Sequence, residues 1–333
     1  MRVPISKVAI SVAALAALVG LAAMPQLLGS KVAEALAAVG GADPEWLAAG
    51  GGAAAVAFLS SVAAWRAALA ATGGTICPRQ AAARIGVGSL VNAFAPAKLG
   101  DAVKVALCAR AIDGRDRMWT VGGVYAGLGA AHGLAVAALV VVASATDAAP
   151  LWPVFALCGT VAVVAAVALS SQRWRNHHRI QHLLEGFAAL ARSPRAAAAV
   201  MFWVGLATLA RLGAVAAVAA ALGLPSPLLV ALVILPAIEL AGTIPITPGN
   251  IGVASGAAAI ALQSRGIGVA DAIGVGVAIQ ALQTAVAVAA GTTGALYLAH
   301  PSGAVRRWTT RVAAIATPVA LAAAVGALVL DLV

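Results

Sequence analysis

The chain has 333 residues, of which 62% are apolar and only 10% are charged. A water-soluble domain usually carries about a quarter charged residues, so this composition excludes a soluble fold and predicts a polytopic membrane protein. The net charge of +10 does not indicate nucleic-acid binding, because the Arg and Lys residues lie between apolar runs and form no basic face.

Seven apolar runs are long enough to cross a membrane, since a spanning helix needs roughly 20 mostly apolar residues. The first follows Arg2 and Lys7 and is too long for the apolar part of a signal peptide, so we expect it to be retained as a membrane helix. We therefore predict an all-α protein with a single integral membrane domain over residues 1–333. Its spans are predicted at residues 8–28, 46–70, 118–143, 151–171, 196–222, 271–298 and 312–330.

Two further apolar regions, residues 85–96 and 228–262, are interrupted by proline and polar residues. Proline removes a backbone donor and kinks a helix, which at membrane depth is tolerated only beside protein or a water-filled cavity. We therefore predict two re-entrant broken-helix hairpins.

The two interruptions resemble each other, because residues 96–100 and 248–252 share the pattern P-x-x-[L/I]-G. Paired breaks in the two halves of a membrane protein are typical of internally repeated transporters and indicate the binding site. The predicted halves of this pseudo-repeat cover residues 46–143 and 196–298. A basic connector over residues 173–195 would join them at the cytoplasmic surface.

The basic residues predict the orientation of the chain in the membrane. With a cytoplasmic amino terminus, seven spans and two hairpins, every Arg and Lys except Lys31, Arg211 and Arg265 falls on the cytoplasmic side. This distribution obeys the positive-inside rule. In this arrangement the two halves are inverted relative to each other.

Arg211 and Glu239 are charged residues within apolar runs. Such groups cost a few kcal/mol at the bilayer centre and therefore usually have a partner or a function. The two residues either form a structural pair, or at least one of them binds substrate or carries protons.

Four polar residues surround the first break. Lys98, Asp101 and Lys104 would share one face of a helix that restarts there, and Asn92 precedes the break. The amino terminus of a helix and a nearby ammonium group suit a phosphodiester or pyrophosphate headgroup, with Asp101 balancing the charge. The alternative is that both lysines only extend towards the cytoplasmic interface.

Gly249 and Asn250, in the second break, could turn the backbone sharply and present amides or carbonyls to a ligand, or could simply pack. His132 is predicted to be a packing histidine. No metal site and no cofactor are expected, because the cysteines are scattered and the histidines have no metal-ligand spacing.

The sequence resembles the lysylphosphatidylglycerol synthase transmembrane region family in three stretches. These are residues 46–66, which end in W-R, residues 92–104 (N-A-F-A-P-A-K-L-G-D-A-V-K) and residues 245–253 (P-I-T-P-G-N-I-G-V). Lys98 and Lys104 stand where the family has arginine, Asp101 stands where it has glutamate, and Ser255 stands where it usually has glutamate.

The resemblance implies that the protein handles an anionic lipid headgroup in the bacterial cytoplasmic membrane. Our leading hypothesis is a flippase-like lipid transporter that translocates a phospholipid or polyprenyl-phosphate-linked headgroup. One alternative is a non-catalytic membrane subunit that presents lipid to an aminoacyl- or glycosyltransferase partner, and another is a membrane lipid synthase. The sequence contains none of the common hydrolase or nucleotide-binding motifs, which favours a transporter over an enzyme.

Overall fold

The computed structural model describes residues 40–95, 99–112, 116–146, 178–242, 253–263 and 266–299. All regular secondary structure in these segments is helical, which confirms the predicted all-α class. The helices in chain order are α1 (Pro44–Ala70), α2 (Pro78–Phe94), α3 (Leu99–Ala109), α4 (Arg117–Ala145), α5 (His178–Arg192), α6 (Pro194–Ala221), α7 (Pro227–Ala241), α8 (Val253–Gln263) and α9 (Val269–Ala299).

Among the described helices α1, α4, α6 and α9 are long and apolar enough to cross a membrane. Their ends lie within about two residues of four predicted spans, at residues 46–70, 118–143, 196–222 and 271–298. The other three predicted spans, residues 8–28, 151–171 and 312–330, lie outside the described segments. The total of seven spans therefore stays a prediction.

The first helices of the two halves begin in the same way. Pro44 and Pro194 occupy the first turn of α1 and α6, where a proline needs no backbone donor and its fixed φ suits a helix. The Asp43 side chain accepts a hydrogen bond from the Glu45 amide, and Ser193 caps α6 in the same manner. These local signals set the start of both helices.

The order of helix lengths repeats along the chain. Helices α1 to α4 have 27, 17, 11 and 29 residues, and α6 to α9 have 28, 15, 11 and 31 residues. A long helix, two short helices and a second long helix thus occur twice, with α5 between them. The two short pairs, α2–α3 and α7–α8, fall at the two predicted broken regions.

The equivalent helices α1 and α6 pack against each other in opposite directions. The Asp43 amide, at the start of α1, donates a hydrogen bond of 2.9 Å to the Ala221 carbonyl at the end of α6. Gly50 of α1 lies against Ala214 and Ala217 of α6, where the absence of a side chain permits close approach. Antiparallel packing of equivalent helices is the relation that an inverted repeat requires. The inverted pseudo-repeat and the re-entrant path of the short pairs stay predictions.

Two buried apolar clusters support the bundle. One joins the end of α1 to α2, α3, α4 and the start of α6, and includes Trp65 and Val121. The other joins the start of α1 to the ends of α4 and α6 and to α7, α8 and α9, and includes Val218 and Ile234. Helices α1, α4 and α6 belong to both clusters, so the space between the clusters lies beside these three helices.

The short helices differ in detail from the sequence expectation. Helix α2 begins at Pro78, before the apolar run at residues 85–96, and therefore includes Arg79 and Arg84. Pro236 lies inside α7, so the helix is not broken at this proline. The residues that join α7 to α8 lie outside the described segments.

Candidate functional site

A cavity of about 520 Å³ lies between the two apolar clusters. Helices α1, α2, α3, α4, α6, α7 and α9 all contribute to its wall, so both halves of the chain form it. Most lining residues are small or apolar, and the charged ones form two groups around two carboxylates. We name these groups the Asp101 cluster (Asn92, Asp101, Lys104 and Tyr125) and the Glu239 cluster (His132, Arg211 and Glu239).

In the Asp101 cluster, the Asp101 carboxylate accepts three hydrogen bonds. Asn92 Nδ2 donates to Asp101 Oδ1 at 2.8 Å, and Lys104 Nζ donates to the same oxygen at 3.0 Å. The Tyr125 hydroxyl donates to Asp101 Oδ2 at 2.7 Å. Helices α2, α3 and α4 are thereby joined through one side chain, and both carboxylate oxygens are satisfied.

Glycine allows the Asp101 cluster to form. A Cβ on Gly100 would collide with the Gly88 carbonyl and with the backbone and side chain of Asn92, so only glycine lets α3 lie this close to α2. Asp101 follows directly on α3 and reaches the Asn92 amide across the contact. Gly100 thus permits the close packing of α3 on α2 that places the Asp101 carboxylate in the cavity.

Aromatic rings form the wall next to the Asp101 cluster. Trp65 of α1 stacks on Tyr125 of α4 with ring centroids 5.9 Å apart and planes 27° apart. This stacking fixes the Tyr125 ring while its hydroxyl binds Asp101. Phe58 lines the cavity about two turns earlier on α1.

The Glu239 cluster joins the second half of the chain to α4. Arg211 NH1 donates to Glu239 Oε1 at 3.0 Å, and His132 Nε2 lies 3.0 Å from Glu239 Oε2. The Arg211 and His132 side chains are 33% and 34% exposed, against 22% for Glu239. The carboxylate is therefore held by two side chains that still present surface to the cavity.

Helix α4 connects the two clusters. Its residues Tyr125, Leu128, Gly129 and His132 all line the cavity, because steps of three and four residues place them on one helical face. Tyr125 contacts the first carboxylate and His132 the second, at a spacing along α4 of about 10 Å. One face of α4 thus contacts a carboxylate from each half of the chain.

The described charges in the cavity nearly balance. Each carboxylate has one permanent cation beside it, Lys104 for Asp101 and Arg211 for Glu239, so the net charge is zero when His132 is neutral. Arg211 uses one N–H donor on Glu239, and a guanidinium carries five. The cavity can therefore accept an anion at Arg211 without first losing the internal ion pair.

The structure brings five of the predicted site residues, Asn92, Asp101, Lys104, Arg211 and Glu239, to this one cavity. The Arg211–Glu239 pair considered from the sequence is present. Three other predicted site residues, Lys98, Gly249 and Asn250, lie outside the described segments. Across the part of the chain that the structure describes, no three His, Cys, Asp or Glu side chains are grouped as metal ligands.

A comparison with protein families matches residues 6–291 to the family described as "Lysylphosphatidylglycerol synthase TM region". The chain belongs to this family. No curated protein and no solved structure matches it. Family membership together with the apolar helices makes it a multi-pass membrane protein.

The family assignment agrees with the motif over residues 92–104. The geometry of the site explains why these residue types occur together. Asn92, Asp101 and Lys104 are mutually hydrogen-bonded, and Gly100 is required for the helix contact between them. Ser255, which stands where relatives usually carry glutamate, is in the first turn of α8. Within the described residues the second cavity carboxylate comes from Glu239 of α7 instead.

Sequence reasoning missed two residues of the site. His132, predicted to be a packing histidine, lines the cavity and contacts Glu239, so that prediction is wrong. Tyr125 was not singled out, although its hydroxyl binds Asp101. The available signal was their seven-residue spacing on one face of a predicted span, where polar side chains are costly unless they have partners.

Proposed function

We propose that this protein is a flippase-like transporter that moves the anionic headgroup of a phospholipid or polyprenyl-phosphate-linked lipid across the membrane. The observation that supports this most is a headgroup-sized cavity whose wall is shared by both halves of an apolar bundle and carries Arg211 and Lys104. Acyl or prenyl chains can stay in the bilayer, so only the headgroup needs a polar path.

Arg211 is the first contact proposed for the phosphate. Its guanidinium is one-third exposed and retains N–H donors beyond the one bound to Glu239. A phosphate that binds these donors competes with Glu239 for the same cation. The phosphate and Glu239 then share one guanidinium, so neither anion is bound as tightly as it would be alone, and the lipid is not trapped at Arg211.

The Asp101 cluster is the second proposed contact, through Lys104. The Lys104 side chain is 16% exposed and its ammonium lies 3.0 Å from Asp101 Oδ1, so this side chain offers less free surface than Arg211. The two cations belong to different halves of the chain. A headgroup passing from one to the other would move between the two halves, as the inverted-repeat transporters do around a central site.

Reconstituted vesicles test the proposal. The purified chain is placed in dioleoylphosphatidylcholine vesicles with dioleoylphosphatidylglycerol and a trace of an acyl-labelled fluorescent analogue, and dithionite quenching reports translocation. We expect the native chain to accelerate translocation and Arg211→Gln to slow it by about tenfold, the cost of one lost charge-assisted hydrogen bond. Arg195→Gln, an exposed position on the same helix, is the matched control and should change nothing.

A double variant distinguishes an effect on headgroup binding from an effect on folding. Arg211→Gln with Glu239→Gln removes both charges of the pair and leaves no unpaired ion, so the fold should persist. The proposal expects this variant to remain folded and slow. A chain that moves neither labelled phosphatidylglycerol nor labelled undecaprenyl phosphate contradicts transport and favours the non-catalytic subunit.

A further inference from the structure

His132 is a titratable side chain that the proposed headgroup contacts do not use. Of the described residues, it is the one imidazole that lines the cavity, and its Nε2 lies 3.0 Å from Glu239 Oε2. Imidazole is the side chain whose charge ordinarily changes between about pH 5 and pH 8. An imidazole that is one-third exposed to the cavity and bound to a carboxylate is placed where proton exchange is possible.

The charged groups that face His132 come from three neighbouring helices. Glu239 of α7 binds it directly, and Arg211 of α6 shares that carboxylate. Asp101 and Lys104 of α3 lie at the far end of the cavity and are bound to each other.

The other helices around α4 add no ionisable group to the described cavity wall. Helix α1 contributes Ser61 and α9 contributes Gln283. Helix α4 itself adds the Tyr125 hydroxyl, which is bound to Asp101. Helix α5 packs against the first half of α4 around Thr120, with Glu185 and Arg192 on it, and contributes no described residue to the cavity.

Charge balance links this imidazole to the headgroup. With His132 neutral, Arg211 and Glu239 sum to zero, and a phosphodiester bound at Arg211 leaves the Glu239 cluster with one net negative charge. An uncompensated charge in a cavity of low dielectric is costly. One proton on His132 restores neutrality and supplies Glu239 with a cation while the phosphate occupies Arg211.

We propose that His132 is a proton-binding site that takes up one proton with each anionic headgroup that enters the cavity, which makes transport proton-coupled. The inference rests on the proposed function and deepens it by naming the coupling residue. In the tautomer whose Nε2–H donates to Glu239, the incoming proton binds the Nδ1 lone pair. No other bond forms or breaks, and the same proton leaves from Nδ1 when the headgroup departs.

The test measures lipid translocation and proton uptake together. Vesicles of dioleoylphosphatidylcholine and dioleoylphosphatidylglycerol carry the full chain, the fluorescent lipid analogue and, in a parallel preparation, an entrapped pH indicator in weak buffer. The native rate should fall by up to about tenfold per pH unit on the alkaline side, as one required proton demands. About one proton should move per lipid.

The His132→Gln variant tests the proposed role of His132 most directly. Glutamine keeps an N–H donor for Glu239 but does not titrate in this range. We expect this variant to move lipid at a rate that changes by less than about twofold over the same pH range, with no proton moved. Arg211→Gln with Glu239→Gln is the second variant, because it removes the charge that stabilises the imidazolium without leaving an unpaired ion, and it should reduce the number of protons moved per lipid.

The outcomes separate the two proposals. Native lipid movement without proton movement, or a pH dependence that survives in His132→Gln, overturns the role of His132 and leaves the transporter proposal standing. A native chain that moves no lipid overturns the transporter proposal. In that case, proton uptake is compared between the native chain and His132→Gln when each is mixed with phosphatidylglycerol vesicles. Loss of uptake in His132→Gln would still identify His132 as the proton site, and equal uptake by the two chains would refute that role.

Discussion

Gly100→Ala should destabilise the protein, although alanine is the better helix former by about 1 kcal/mol. A Cβ on Gly100 would lie 2.5 Å from the Asn92 backbone nitrogen, short of ordinary contact at 3.4 Å by about 0.9 Å. If α3 moves away from α2 by that amount, the 2.8 Å hydrogen bond from Asn92 to Asp101 exceeds hydrogen-bond distance. Overpacking of this kind costs about 1–3 kcal/mol.

Thermal unfolding in detergent, followed by tryptophan fluorescence, measures this effect. At about 2–4 °C per kcal/mol, Gly100→Ala should lower Tm by several degrees, and it should also slow lipid translocation because Asp101 is displaced. Gly213→Ala is the matched control, since Gly213 is an exposed helical glycine with open space around it. Equal stability of the two variants would refute the argument that close α2–α3 packing places Asp101.

Two further predictions concern the helix packing and the Asp101 cluster. In a chain whose native cysteines are replaced, the double variant Gly50→Cys with Ala217→Cys should form a disulfide on mild oxidation. The reason is that a Cβ at position 50 would lie 3.5 Å from the Ala217 Cβ. If oxidation does not change the mobility of this variant on a gel, the antiparallel packing of α1 and α6 is contradicted. Tyr125→Phe should cost about 1 kcal/mol of stability through the lost hydrogen bond to Asp101, and a double-mutant cycle with Asp101→Asn should return a coupling of similar size. A coupling near zero would show that the bond contributes nothing.

The sequence predicted the long helices well because apolar length is a strong signal. Helices α1, α4, α6 and α9 begin and end close to the predicted spans, and the capping residues Asp43 and Ser193 fix two of the starts. The short helices were harder to predict. Pro236 lies within α7, although a proline in a helix interior usually kinks or ends the helix.

The sequence also singled out the charged residues within apolar runs, but not all of their partners. Arg211 and Glu239 stood out because a charge in an apolar run is costly, and the structure pairs them. Lys104 and Asp101 are paired as well, so each permanent cation of the described cavity wall has a carboxylate beside it. His132 and Tyr125 were missed because one polar residue in a long helix looks the same whether it packs or faces a cavity.

Blocking the cavity without changing its charge tests most directly whether the headgroup passes through it. Gly129 lines the cavity with no neighbour within 4 Å of an added Cβ, so Gly129→Trp should fold and fill much of the space. Gly213→Trp, on an exposed face of α6, places the same side chain outside the cavity. We expect Gly213→Trp to translocate labelled phosphatidylglycerol at the native rate and Gly129→Trp to be inactive. Native activity in Gly129→Trp would show that the lipid takes another path.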